Sequence, residues 1–198
     1  MEAKAFNTWS VQGVTVADAG LQAYVMLSPR IVPKTGGKNA TQRFHKSKTF
    51  ILERFMNKIM VSGHRAKKHK MSSGHNGGKS QLVYGIMFKT LQSIENKTKK
   101  NPIQVLITAI ENAAPREEII AIEYGGARYP KAVECSPQRR VDLAIRFMTQ
   151  GAAQKAFGTK KAIDQALADE ILAAYALSAN SNAVSKKNEL ERQADSSR

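Results

Sequence analysis

The chain has 198 residues, 42% of them hydrophobic, and a formal net charge of +15 at pH 7. That allows one domain with a real core, and it points to a polyanionic partner, either nucleic acid or an acidic membrane surface. The single cysteine, Cys135, excludes an intramolecular disulfide; no run approaches the ~18 apolar residues of a membrane span; and the opening Met1–Ser10 lacks the basic and apolar regions of a signal peptide, so a soluble intracellular protein is expected.

The charge is concentrated early. Residues 1–80 hold 14 Lys and Arg against 3 Asp and Glu, and residues 81–198 hold 17 against 13. Residues 1–20 read as an irregular arm or a strand fragment. Residues 28–48 combine two prolines, a Gly pair and six Lys or Arg with no acid, which suits an extended basic segment. Residues 1–48 are therefore read as a basic extension and 49–198 as a helical domain.

The first helix is expected from about Thr49 to Val61, with Phe50, Ile51, Phe55, Ile59 and Met60 as its apolar stripe, Ser47 or Thr49 as cap and Gly63 as stop. The run from His64 to Ser80 is Gly-rich and basic and reads as a loop. A second helix spans about Ser80 to Asn96, with Leu82, Val83, Ile86, Met87, Thr90, Leu91 and Ile94 at helical spacing. Asn101-Pro102 opens a third, whose stripe is Ile103, Leu106, Ile107, Ile110 and Ala114 before Pro115 ends it.

Glu117 to Arg140 breaks the helical pattern. Ile120, Ile122 and Tyr124 alternate on one strand, and Tyr129, Lys131, Val133 and Cys135 on another. Gly125-Gly126 between them permits the positive φ of a tight hairpin turn, and Pro130 suits an edge or tip. A two-stranded ribbon is marginal alone. Its base is expected to pack on the helices through Ile120, Ile122 and Val133, and its tip, with Arg128, Tyr129 and Lys131, to reach toward a partner.

Ser136-Pro137 opens a fourth helix, carrying Val141, Ala144, Ile145 and Met148 and stopping at Gly151. Gly158-Thr159 opens a fifth, carrying Ile163, Ala166, Leu167, Ile171, Ala174 and Tyr175, and the tail after Ser178 recovers a charged helix. The fold class is mainly α: a bundle of five to six helices with one protruding two-stranded β-hairpin at 117–136 and a basic extended N-terminal segment.

Chemistry is sparse. Gly78-Lys79-Ser80 before a helix resembles a P-loop, but the glycine required five positions earlier is Ser73, and the preceding residues are basic rather than a buried strand. The turn still offers a phosphate seat at a helix N-terminus. His45, His64, His69 and His75 lie among lysines that repel a cation, so no metal site is expected. No serine, histidine or acid arrangement suggests an activated nucleophile. Glu117 and Glu118 read as solvated acids at the hairpin base, and Asp169-Glu170 as structural. Two basic groups remain as candidates for nucleic acid: Arg43, Lys46, Lys48, Arg65, Lys67, Lys68, Lys70 and Lys79 in or beside loops, and Arg128, Lys131, Arg139 and Arg140 at the ribbon and its exit. No base-reading signature is present, so recognition of RNA by shape is the natural expectation. A nucleotide-dependent enzyme using the Gly-Lys-Ser turn, and a DNA-binding or membrane-surface protein, remain as alternatives.

The order of parts resembles the universal small-subunit ribosomal protein family numbered seven. The resemblance is carried by ERFMNKIM, NPIQVLITAIENAAPREEI, EYGGARYPKAVECSPQRRVDLAIRFM, LADEI and the closing KKNELERQADSSR. It covers residues 45–198, and the long basic N-terminal part and the closing segment are similar to the archaeal and eukaryotic branch. The resemblance implies a non-enzymatic ribosomal protein, without cofactor, in the cytoplasm. Such a protein binds the 3′ major domain of small-subunit rRNA, nucleates assembly of the head beside other head and platform proteins, and places its ribbon near the exit-site tRNA and the mRNA path. It maps rRNA contact onto Arg43, Lys46 and Lys48 and onto the loop from Arg65 to Lys79, maps the exit-site tRNA and mRNA role onto the ribbon around Arg128 and Lys131, and matches Arg139 and Arg140 to a pair of arginines after the ribbon.

Overall fold

Aromatic anchors enter the core well before the first long helix. The computed structural model describes residues 4–37, 41–65, 68–69 and 74–198, and of Arg65, Lys68 and His69 the backbone alone. The N-terminal arm is irregular, held by a bridge between Ala5 and Trp9, yet Ala5, Phe6, Trp9 and Val11 are buried in the same core as the helices. Phe6 packs 4.6 Å from the Tyr84 ring, Trp9 packs 5.3 Å from Phe88, and the Trp9 indole N–H donates to Glu95 at 2.9 Å. Two large rings supply enough apolar area to fix an otherwise uncapped segment.

A single turn, α1 (Ala19–Gln22), follows, capped by Asp18. The next long element is α2 (Ile51–Ile59), entered from a 3-10 turn at His45–Lys48. Neither expected cap acts. The N-cap residue is Phe50, without a side-chain bond, and the Ser47 hydroxyl donates back to the Phe44 carbonyl. The entry is fixed instead by pairing with Met26, whose carbonyl accepts from the Ile51 N–H. In the stretch read as a loop, β1 (His64–Arg65) and β2 (Lys68–His69) form a short antiparallel pair.

The long α3 (Ser80–Thr98) buries Val83, Met87, Thr90, Leu91 and Ile94, whereas Leu82 is half-exposed. α4 (Pro102–Ala113) begins as its sequence reads, the Asn101 side chain accepting from the Ile103 N–H at 3.0 Å. It is apolar nearly all round and packs against α3 and the three later helices, as a central helix must.

The ribbon consists of β3 (Glu117–Tyr124) and β4 (Ala127–Glu134), joined at Gly125 and Gly126 with φ of 59° and 83°. Its register pairs Glu118 with Val133, Ile120 with Lys131 and Ile122 with Tyr129, so these share one face. That face is not core. Ile120 and Ile122 are 42% and 39% exposed, because the ribbon runs past the helices from Ile120 onward. The base is held by polar contacts instead, including both acids expected to be solvated. Glu118 accepts two bonds from Arg139, Glu117 accepts from Arg198, and Glu191 accepts from the Arg116 N–H.

The remaining helices are α5 (Pro137–Ala156), α6 (Ile163–Tyr175) and α7 (Asn182–Asp195). Neither of two glycines takes its expected role. Gly151 does not stop α5; it lets α5 approach its neighbours, since a Cβ there would lie 2.7 Å from Asn182 Cβ and 3.1 Å from the Glu170 carboxyl carbon. Gly158, expected to open a helix, takes φ of 72° in the turn after α5, closed by the Thr159 N–H and the Ala156 carbonyl, while α5 itself ends where Phe157 turns to extended backbone. Gly151→Ala is expected to destabilise the fold by about 1–3 kcal/mol in urea unfolding, the overpacking outweighing alanine's better helix propensity.

Candidate nucleic-acid interface

One face of α5 links the ribbon to the basic stretch after α2. Arg139, Asp142, Arg146 and Gln150 fall at i, i+3, i+7 and i+11, which stacks them along one side of a helix. Arg139 holds Glu118 at the ribbon base, and Gln150 donates to the His64 carbonyl in β1. Between them, Lys46, Arg54 and Lys58 come across from the 3-10 turn and α2. Asp142 accepts from Arg54 at 3.0 Å and from Lys46. The result is a depression of about 360 Å³, lined by Lys46, Arg54, Lys58, Arg146 and the single acid Asp142.

The charges in this depression are not balanced. Arg54 is fixed by the Tyr24 carbonyl as well as by Asp142. Burial, and then the neighbouring Arg146 guanidinium, lower the Lys58 pKa from the ordinary lysine value. A lysine so placed gains when an anion arrives. The arrangement can seat a phosphate group between Lys58 and Arg146. Sequence reading missed Arg54, Lys58 and Arg146. Their spacing on α2 and α5 is ordinary, and only the packing of the two helices brings them together.

The predicted residues divide among several situations. Lys46 joins the depression. Lys48 is exposed at the end of the 3-10 turn. Arg43 is exposed and lies 4.8 Å over the Phe44 ring, itself 62% exposed and held at φ 61°. Lys79 is exposed at the N-terminus of α3 beside Gly78 at φ 72°, in a turn closed by the Lys79 N–H and the Asn76 carbonyl. Lys67 and Lys70, and the side chains of Arg65 and Lys68, lie outside the described residues. On the ribbon, Arg128, Tyr129 and Lys131 are all exposed, with Arg128 3.5 Å from Glu123 across the strands.

Arg139 and Arg140 are not a matched pair. The Arg139 side chain is half-exposed, and its bonds to Glu118 raise its pKa. Arg140 is largely buried. It donates to Asp18 at 2.8 Å and to the Pro115 carbonyl at 3.2 Å, tying α1 to the ribbon's entry. Burial raises the Asp18 pKa, but the bonds from Arg140 and the Gly20 N–H prevail and leave it lowered. Arg140 therefore has a structural task, and only Arg139 presents an edge.

Among the described residues, no group of three or more His, Cys, Asp or Glu is placed to hold a metal ion, and no helix is long and apolar enough to cross a membrane. Cys135 is buried at the ribbon's exit, and burial, followed by the Glu118 charge, pushes its pKa up to about 11.

A helical core with a polar-anchored ribbon and a cationic face defines a polyanion-binding structural protein. The family model described as ribosomal protein S7p/S5e matches residues 22–198. The chain is 50% identical over 198 residues to the small ribosomal subunit protein uS7 of Nanoarchaeum equitans, covering all of both chains. It is 49% identical over 196 residues to the uS7 of Methanosphaera stadtmanae, covering 99% of each, and 46% identical over 193 residues to that of Archaeoglobus fulgidus, covering 98% of this chain and 94% of the other. The chain belongs to the ribosomal protein S7p/S5e family, of archaeal type, and is not an enzyme.

Proposed function

We propose that this chain is a structural constituent of the small ribosomal subunit, that it binds the 3′ major domain of small-subunit rRNA, and that it nucleates assembly of the head. The observation that carries this reading is the cationic face of α5 and α2, which runs from the ribbon base to the basic stretch around β1 and β2. Phosphates recognised by such a face position the protein on folded RNA without reading bases. The exposed ribbon, with Arg128, Tyr129 and Lys131, extends from one end of this face. In this reading it lies near the exit-site tRNA and the mRNA path, and other head and platform proteins complete the surroundings. The site of action is the cytoplasmic ribosome, and no membrane is involved.

Chemical footprinting of small-subunit rRNA with and without the protein tests the reading. Protection is expected to cluster in the 3′ major domain and to fade as salt rises; protection elsewhere, or none, overturns it. Neutralising Lys67, Lys68 and Lys70 together is expected to weaken binding and to flatten its salt dependence by about 0.7–0.9 for each phosphate that is no longer neutralised. Unchanged affinity and unchanged slope would remove that stretch from the interface.

A further inference from the structure

Five of the described residues other than glycine take a positive φ: Phe6, Asn7, Phe44, Lys99 and Leu177. Lys99 and Leu177 close α3 and α6, where the left-handed conformation is a common stop. Asn7 belongs to a residue type that tolerates it. Phe6 is bulky, and the conformation costs it free energy, but its ring is 4% exposed and packs 4.6 Å from Tyr84, so burial offsets the strain. Phe44 has none of these reasons. It sits at φ 61° and ψ 6°, ends no helix, and is 62% exposed.

The strained conformation is nevertheless held. The Phe44 carbonyl accepts from the Ser47 hydroxyl at 2.8 Å and from the Ser47 N–H at 3.3 Å, and the His45 N–H donates to the Gln42 carbonyl at 3.3 Å. Lys46, in the same turn, is tied to Asp142 on α5. The Arg43 guanidinium lies 4.8 Å over one face of the ring, so the exposed area lies on the ring edge and the opposite face. A large aromatic ring fixed in a strained backbone and left to solvent is a feature of sites that meet a partner.

The surroundings choose the partner. Residues 28–48 carry six Lys or Arg and no acid, and Arg43, Lys46 and Lys48 are exposed on either side of Phe44 in the chain. An apolar protein pocket receiving the ring would have to settle among these cations, whereas an RNA strand brings them phosphates. Lys46 also lines the depression between α2 and α5, so the ring stands two residues along the chain from the phosphate seat. We propose that Phe44 is a stacking platform for one unpaired nucleobase of RNA, with Arg43 extending the stack on the far side of the ring. It rests on the rRNA reading above and adds to it a contact that is not electrostatic. Stacking accepts any base, which agrees with a sequence that carries no base-reading signature.

The test uses the full-length protein, Phe44→Leu and Phe44→Trp. Phe44 lies outside the core, so the urea midpoint should not move in either variant. Phe44→Leu is expected to weaken binding of the 3′ major domain of small-subunit rRNA about fivefold to a hundredfold, the span for one stacked base, with the salt slope unchanged because no cation is lost. Phe44→Trp is expected to bind at least as tightly as the parent, and its added indole should be quenched by the RNA; Trp9, 5% exposed, supplies a background read in the parent. Single-stranded oligoadenylate and an abasic oligomer of equal length form a second arm, and only the oligomer with bases should quench. If the parent does not bind the rRNA, the proposed function falls while the oligomers still decide the stacking. Parent-like rRNA affinity in Phe44→Leu together with an unquenched indole overturns the platform and leaves the ring to a protein neighbour; equal quenching by the abasic oligomer overturns it as well.

Discussion

Glu170→Ala is expected to lower stability by about 3 kcal/mol, read as a fall in the urea midpoint at unchanged slope. The Glu170 side chain is fully buried. One carboxylate oxygen accepts from the Ser181 hydroxyl at 2.8 Å and the Ala183 N–H at 3.1 Å, and the other accepts from the Lys155 ammonium at 2.6 Å. Ser181 is the N-cap of α7, and its hydroxyl oxygen accepts from the Val184 N–H. The carboxylate thus anchors a helix N-terminus, where the dipole favours negative charge. Truncation leaves two buried donors unmatched, at about 1–3 kcal/mol each, and a void beside Gly151. Lys155 is partly exposed and returns to water, so the ion pair itself contributes little. Glu170→Gln keeps one oxygen for Ser181 and Ala183 but turns an amide N–H₂ toward Lys155, and a loss of about 1 kcal/mol is expected. Hydrogen exchange distinguishes the mechanism from a general loosening. Protection should fall first at the start of α7 and then at residues 116–119, because α7 carries Glu191 and the chain end carries Arg198, which hold the ribbon base. A variant within about 0.5 kcal/mol of the parent would mean that the alanine-rich contact of α6 and α7 suffices alone.

How much of this was legible follows from the range over which each feature is determined. α4 and the ribbon turn are written locally, in Asn101-Pro102, Pro115 and Gly125-Gly126, and the structure places them as the sequence suggests. Asp169-Glu170 reads correctly as structural, although nothing local shows that Glu170 reaches Ser181. The failures share a cause. Gly151 and Gly158 look alike in sequence, but Asn182 and Glu170 approach Gly151 in mid-helix, while Gly158 lies in open space in the turn after α5. Arg139 and Arg140 are neighbours with partners 21 and 122 residues away, so a pair that reads as one basic patch divides into an edge and a strut. Phe6 and Trp9 carry no periodic signal, because two aromatic anchors need none to pack on α3. At the ribbon base, alternation identifies a strand face but not how far the helices extend beneath it. Ile120 and Ile122 therefore stand out in solvent while Glu117 and Glu118, the residues a hydropathy pattern would discard, hold the base.

The same long-range packing sets the second large expectation. Replacing Lys58 and Arg146 together with glutamine should weaken binding of small-subunit rRNA roughly tenfold or more at physiological salt, and reduce the slope of log affinity against log salt by about 0.7–0.9, the value for the one phosphate left without a cation. The fold should not suffer. Burial and Arg146 already disfavour charge on Lys58, so the substitutions relieve repulsion in the free protein, and stability should be unchanged or slightly raised. The sign of the pH dependence is fixed by the same shift. A phosphate favours charged Lys58, so its pKa is higher in the complex than in the free protein. Binding then takes up protons, and affinity falls as pH rises through the lowered free-protein value toward that of the complex. The double variant should lose that component while retaining whatever dependence the other lysines supply. Lys46→Gln serves as the comparison, since the Lys46 ammonium is already paired with Asp142 and the free protein satisfies that charge internally. A smaller effect is expected from it than from either Lys58 or Arg146. If Lys46→Gln proved the most damaging of the three and the double variant left the salt slope untouched, the RNA would have to approach over the 3-10 turn rather than into the depression between α2 and α5.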